Sequence, residues 1–151
     1  SRLSWNVNEN YHELKQKFFD NFYGAASGTM TELFDEMSAR ALYFKEKLNA
    51  GGDCYASWDK PEYWTKGALT RWHGYLNKAF EEILPIKDTD GELHERLSAH
   101  ISYERLGINF LLCTLWSGSL SEEDYEKYRA EFKTDAERSG NTDALKSGLV
   151  K

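Results

Sequence analysis

An all-α fold, a bundle of about five helices with one long central helix, is what this sequence predicts. Only two prolines, Pro61 and Pro85, interrupt the 151 residues. The long stretches between breaks repeat apolar residues at three- and four-residue steps, and no alternating strand pattern competes with them. With 40% apolar content the chain has material for one core and too little for two.

Each element follows from its own signals. Asn10 followed by Glu13 is a capping-box pair, so the first helix is expected to begin there. Tyr11, Leu14, Phe18 and Phe22 recur at helical steps and predict an aromatic stripe toward the core, with Gly24 as the stop. A second helix starts between Ala25 and Thr29, presents Met30, Leu33, Phe34, Met37, Ala41, Phe44 and Leu48 on one face, and ends at Gly51 and Gly52. Residues 53–64 show no clear period and read as a loop with room for a helical turn.

The third helix is open to two starts: Asp59 as cap with Pro61 in the first turn, or Thr65 as cap, which is preferred. Leu69, Trp72, Leu76, Ala79, Phe80 and Ile83 form its stripe, Pro85 ends it, and 86–88 is a linker. Thr89 with Glu92 makes a second capping box, opening the longest helix, which runs to Trp116 over roughly 40 Å. Its second half is apolar on several faces and should lie centrally. Ser121 with Glu122, Glu123 and Asp124 starts the fifth helix, whose Tyr125, Tyr128 and Phe132 face inward before Gly140 closes it. The domain is expected over 1–140, with 141–151 a surface tail that has little to bury. No pattern recurs at a fixed period, which argues against a repeat architecture.

Charge narrows the partners. There are 19 basic and 25 acidic side chains, a net charge of −6, and no run of Lys and Arg, so a nucleic-acid footprint is not expected. The longest dense apolar run, Ile108 to Trp116, is far shorter than the ~20 residues a bilayer span requires. No charged segment followed by an apolar core marks a leader at the N-terminus, and the abrupt start is expected of a fragment. Cys54 and Cys113 lack metal-type spacing; Cys113 reads as a small core residue, and a pairing of the two stays open.

The stretch LSWNVNENYHELKQKFFDNFYGAASGTMTELFDEM, from Leu3 to Met37, resembles the junction that follows the catalytic-type barrel in a family of large bacterial glycoside-hydrolase-like proteins. That family is similar in architecture to α-glucuronidases and β-hexosaminidases. The matching residues are Trp5, Asn6, Phe18, Phe19, Phe22, Tyr23 and Gly24, then Ala25 and Ala26. Asn10 stands where Asp is usual, Phe22 where Tyr is, and Ala25 where Pro is; none of these removes a cap or an apolar contact. Looser likeness continues through YWTKGALTRWHGYLNKA and RLSAHISYERL. The resemblance implies a helical tail behind a sugar-cleaving barrel, in a protein exported to the periplasm or cell surface. The catalytic carboxylates of such proteins sit on the barrel, so no catalytic residue and no cofactor is carried to this chain. Interdomain packing falls on Trp5, Tyr11, Phe18, Phe22 and Tyr23.

Other constellations weigh less. Tyr55, Trp58, Tyr63 and Trp64, with Asp59 and Glu62 to hold hydroxyls, form the candidate glycan contact, against the plainer reading that these rings pin the loop in place. His94, Glu95 and His100 suggest a zinc helix only superficially, since six residues turn the second histidine about 120° from the first. Solvated surface histidines are the expectation there and at His12 and His73. Asp88, Asp90 and Gly91 resemble part of a calcium loop, but the register puts Ile86 and Leu97 where acidic ligands are required. Asp35, Glu36, Glu81 and Glu82 read as solvated helix charges rather than a glycosidase pair. No phosphate loop or nucleophile elbow occurs. The expected role is therefore a non-catalytic accessory domain packed on an upstream catalytic-type domain of the same chain. A carbohydrate-binding module and a helical dimerisation domain are the alternatives.

Overall fold

A computed structural model describes residues 10–47, 60–141, 143–146, 148 and 150. Among them there is no strand. Five helices carry the architecture: α1 (Tyr11–Tyr23), α2 (Ser27–Lys47), α3 (Lys66–Ile83), α4 (Gly91–Leu115) and α5 (Glu122–Ser139), followed by a single turn, α6 (Asp143–Lys146). The expected all-α bundle is thus observed.

Local chemistry sets most boundaries. Asn10 caps α1 by accepting from the His12 amide at 2.9 Å. Thr65 caps α3, accepting from the Ala68 amide, and Ser121 caps α5, accepting from the Asp124 amide. Gly24 ends α1 with φ 56°, and a Cβ there would stand 3.0 Å from Leu97, so the position needs glycine twice over. Gly140 ends α5 in the left-handed conformation.

Two boundaries differ from expectation. Asp90, not Thr89, caps α4, accepting from the Leu93 amide, while the Thr89 hydroxyl turns back to the Ile86 carbonyl. The Asp90 carboxylate accepts from the free amide three residues on, the role expected of the Thr89 hydroxyl one residue earlier. Helix α3 ends at Ile83, as Pro85 predicts, but the expected linker 86–88 is regular: residues Leu84–Asp88 form a 3-10 turn with the proline in its first turn, where its missing N–H costs nothing.

At 25 residues, or about 37 Å, α4 is the axis of the bundle, packed by α3, α5 and α1. The core joins Met30 and Leu33 of α2, Leu69, Trp72, Leu76 and Ile83 of α3, and Leu97, Ile101, Ile108 and Leu112 of α4. Cys113 is a free, buried thiol, pushed up to about 12 by that burial. Cys54 lies outside the described residues.

The inward stripe of α1 is Phe19 and Tyr23, the latter 1% exposed; Tyr11 and Phe18 point outward, at 59% and 54%. Each aromatic pair on α1 is adjacent in sequence, so two stripes one residue apart satisfy the same spacing, and packing selects the second. On α2 Met30 and Leu33 are buried and Phe34, Met37 and Phe44 half-buried, whereas Ala41, expected on the same face, is exposed with Leu42 and Tyr43. Of residues 141–151, Leu145 and Val150 lie half-buried against Leu106, Phe132 and Ala136, so this segment buries more than the sequence suggests.

Candidate functional site

Two clusters of polar chemistry flank α4, and they differ in access. The first is internal. Arg105 of α4 grips Asp135 of α5 through two hydrogen bonds, 2.8 and 2.9 Å, and Asp135 is completely buried. The guanidinium also lies over the Phe80 ring at 4.5 Å. One turn earlier on α5, Glu131 accepts from His73 Nε2 at 2.6 Å and from Asn109 Nδ2 at 3.0 Å. Because a carboxylate can only accept, His73 carries its proton on Nε2, and Asn77 approaches the other ring nitrogen at 3.3 Å. Burial alone would raise the Glu131 carboxyl, but the His73 hydrogen bond and charge, with Asn109 and Arg105, hold it below the ordinary carboxylate value. His73 is therefore a buried structural partner, not the solvated histidine expected.

The second cluster opens to solvent. Phe18, Phe22, Phe34, His100 and Tyr103 line a hollow of about 480 Å³. A second hollow of about 500 Å³, walled by Met37, Trp64, Gly107, Phe110 and Leu111, meets the first at Tyr103 and Glu104. Sharing Tyr103 and Glu104, they form a groove along α4 bordered by α1, α2 and α5. Tyr103 stands over it at 65% exposure. His100 stacks on Phe22, rings parallel with centroids 3.7 Å apart, and donates from Nδ1 to the Phe22 carbonyl at 2.7 Å. His100 is thus half-buried, again unlike the surface histidine expected.

Among the described residues, Glu104 is the one carboxylate lining the groove. The Tyr23 hydroxyl donates to it at 3.3 Å, a long contact for O–H to oxygen. Burial pushes the Glu104 carboxyl above its ordinary value, and the Tyr23 hydrogen bond offsets this only partly. The Tyr23 phenol is raised as well, first by burial and then by the neighbouring Glu104 charge.

The residues anticipated as functional divide accordingly. Phe18 and Phe22 line the groove, and Tyr11 is exposed beyond it. Tyr23 is corrected from interdomain contact to core: its ring is inside, and only its hydroxyl reaches the groove. Trp5, Tyr55, Trp58 and Asp59 lie outside the described residues. Tyr63, 6% exposed, has no open ring face for a sugar; it packs on Phe44, and its carbonyl accepts from Arg40 Nε. Trp64 is half-buried beside Phe44, with its carbonyl holding the Trp116 indole N–H at 2.7 Å. Glu62 is exposed, its main-chain carbonyl taken by Arg40. These residues pin the approach to α3.

Two carboxylates expected to be free are also committed. Glu36 accepts from Arg71, the Trp72 indole and the Tyr75 hydroxyl. Glu82 accepts from Thr29 at 2.8 Å. Sequence reading missed Tyr103 and Glu104; the signal was a helical face mixing His100, Tyr103, Glu104, Gly107 and Leu111 at three- and four-residue steps, too polar for core and too apolar for a solvated surface. Among the described residues no three His, Cys, Asp or Glu side chains gather as a metal site, and no helix is long and apolar enough to cross a membrane. Compared with protein-family models, curated proteins and solved structures, the chain matches none.

Proposed function

We propose that this bundle is a non-catalytic accessory domain that packs through its aromatic groove face onto a catalytic-type domain of a glycoside-hydrolase-like protein exported to the periplasm or cell surface. The observation that carries the docking reading is the exposed aromatic face itself: Phe18 and Tyr103 stand out from the surface around one hollow, and Phe22 and Phe110 line the hollows between elements. Contiguous apolar surface of this kind serves an interaction, since leaving it in water is costly. The resemblance of Leu3 to Met37 to the post-barrel junction supports the identity of the partner, because Phe18 and Phe22 fall within it. The rival glycan-contact reading has less support: among its described residues Glu62 is exposed, Tyr63 is buried and Trp64 is half-buried.

Oxidative footprinting tests the proposal. Phe18 and Tyr103 should be labelled readily in the 151-residue chain and protected in a polypeptide that joins it to a preceding barrel. Equal labelling in both would overturn it.

A further inference from the structure

The groove is apolar on its walls but not on its floor, and its single charge narrows what can fill it. Glu104 sits where the two hollows meet, flanked by Tyr103 and close to the Phe22–His100 stack. Among the described residues it has no cationic partner; its contact is the 3.3 Å hydrogen bond from Tyr23. Among the described cations of the surrounding helices, Lys15 pairs with Asp35, Arg138 with Glu95 and Arg105 with Asp135, and none pairs with Glu104; His100, which lines the same hollow, is held by the Phe22 carbonyl. A purely apolar partner would cover this carboxylate and remove its water without replacing it, an outcome that penalises binding.

We infer that the groove takes a protein segment presenting a basic side chain, arginine above all, flanked by apolar residues, with the cation meeting Glu104 and lying against the Tyr103 ring. Arginine suits the site because its planar guanidinium can bond a carboxylate through two N–H groups while stacking on an aromatic face. Its apolar stem would follow the groove wall. The inference rests on the docking reading above and names the chemistry of the docked surface.

Three peptides test it on the full chain: acetyl-Leu-Phe-Arg-Phe-Leu-amide and its counterparts with Gln and Glu at the centre, titrated with amide chemical shifts as the readout. The Arg peptide should bind at the groove about tenfold more tightly than the Gln peptide, and the Glu peptide more weakly still. Glu104→Gln, which keeps an acceptor for Tyr23, should erase the preference while leaving the spectrum folded. Acidification should erase it too in the wild type, since Glu104 protonates more readily than an ordinary carboxyl.

Equal binding of all three peptides at the groove overturns the cation inference and leaves apolar docking standing. A preference for Arg that survives Glu104→Gln, or shifts that map to another face, also overturns it. Failure of the footprint with Arg selectivity intact would instead count against the barrel as partner and not against the site.

Discussion

On the side of α4 that faces α3 and α5, Arg105 donates to Asp135 and Asn109 to Glu131, which also accepts from His73 of α3, so each charge is matched from within the chain. On the side that faces α1 and α2, Glu104 meets one tyrosine hydroxyl at long range, under exposed aromatic rings. The two sides lie on one helix, five residues or fewer apart in sequence. A buried charge that is fully partnered fixes how helices sit against one another. A half-buried charge without a cation raises the energy of the free domain and is relieved by whatever brings one. The first pattern belongs to the interior; the second is the pattern on which the proposed docking surface rests.

The sharpest way to break the internal side is Asp135→Ala, which leaves the Arg105 guanidinium buried with half its partners gone. A loss of about 3–5 kcal/mol is expected in denaturant unfolding. Replacing both residues together, Arg105→Met with Asp135→Leu, should recover most of that loss, because apolar residues of similar volume substitute well for a buried ion pair. If the double variant is as unstable as the single one, the pair matters for more than its charge.

Glu131→Gln comes next, at about 1–3 kcal/mol, since it weakens the acceptor that His73 and Asn109 share. Its pH dependence has a definite sign. The native Glu131 carboxyl is held below its ordinary value of 4.5, so its contribution is present above that value and is lost as pH falls through the lower native one. The stability gap between wild type and Glu131→Gln should therefore narrow only in acid, measured as unfolding midpoints from neutral pH downward.

What could be read in advance, and what could not, follows the range of the interactions. Caps at Asn10, Thr65 and Ser121 and stops at Gly24 and Gly140 involve neighbours within four residues, and these were legible. So were the stripes of α3 and α5, where one face is plainly apolar. On α1, Phe18–Phe19 and Phe22–Tyr23 offer two stripes of equal quality, and the choice depends on Phe34 and His100 far along the chain. The polar clusters are longer-range still: His73 finds Glu131 58 residues away, and Tyr23 finds Glu104 81 residues away. The sequence spacing around Glu104 contains no trace of Tyr23, so the groove could not be assembled from local pattern.

On the groove side the effects should be smaller and of opposite sign. Glu104→Gln removes a carboxylate that burial opposes, so the variant should melt at a slightly higher temperature than the wild type at neutral pH. Here the native group is raised above its ordinary value. Its contribution is therefore most favourable below that value and declines as pH rises through the higher native one. The advantage of the variant should vanish in acid, where both side chains are neutral, the reverse of the behaviour at Glu131. A Glu104→Gln protein less stable than wild type at neutral pH would mean that the carboxylate is matched in the free domain after all, and the contrast between the two sides of α4 would fail.

Tyr103→Ser should change least. The side chain is mostly in water, so its removal should move folding stability by no more than about 0.5 kcal/mol. The same substitution takes away the largest exposed ring of the groove, and an apolar dye such as anilinonaphthalenesulfonate should bind the variant less and fluoresce less. Stability and surface chemistry are thereby separated: a residue built for the core would lose both, and one built for a partner loses only the second. A drop in stability comparable to that of Glu131→Gln would place Tyr103 among the residues that hold the bundle together.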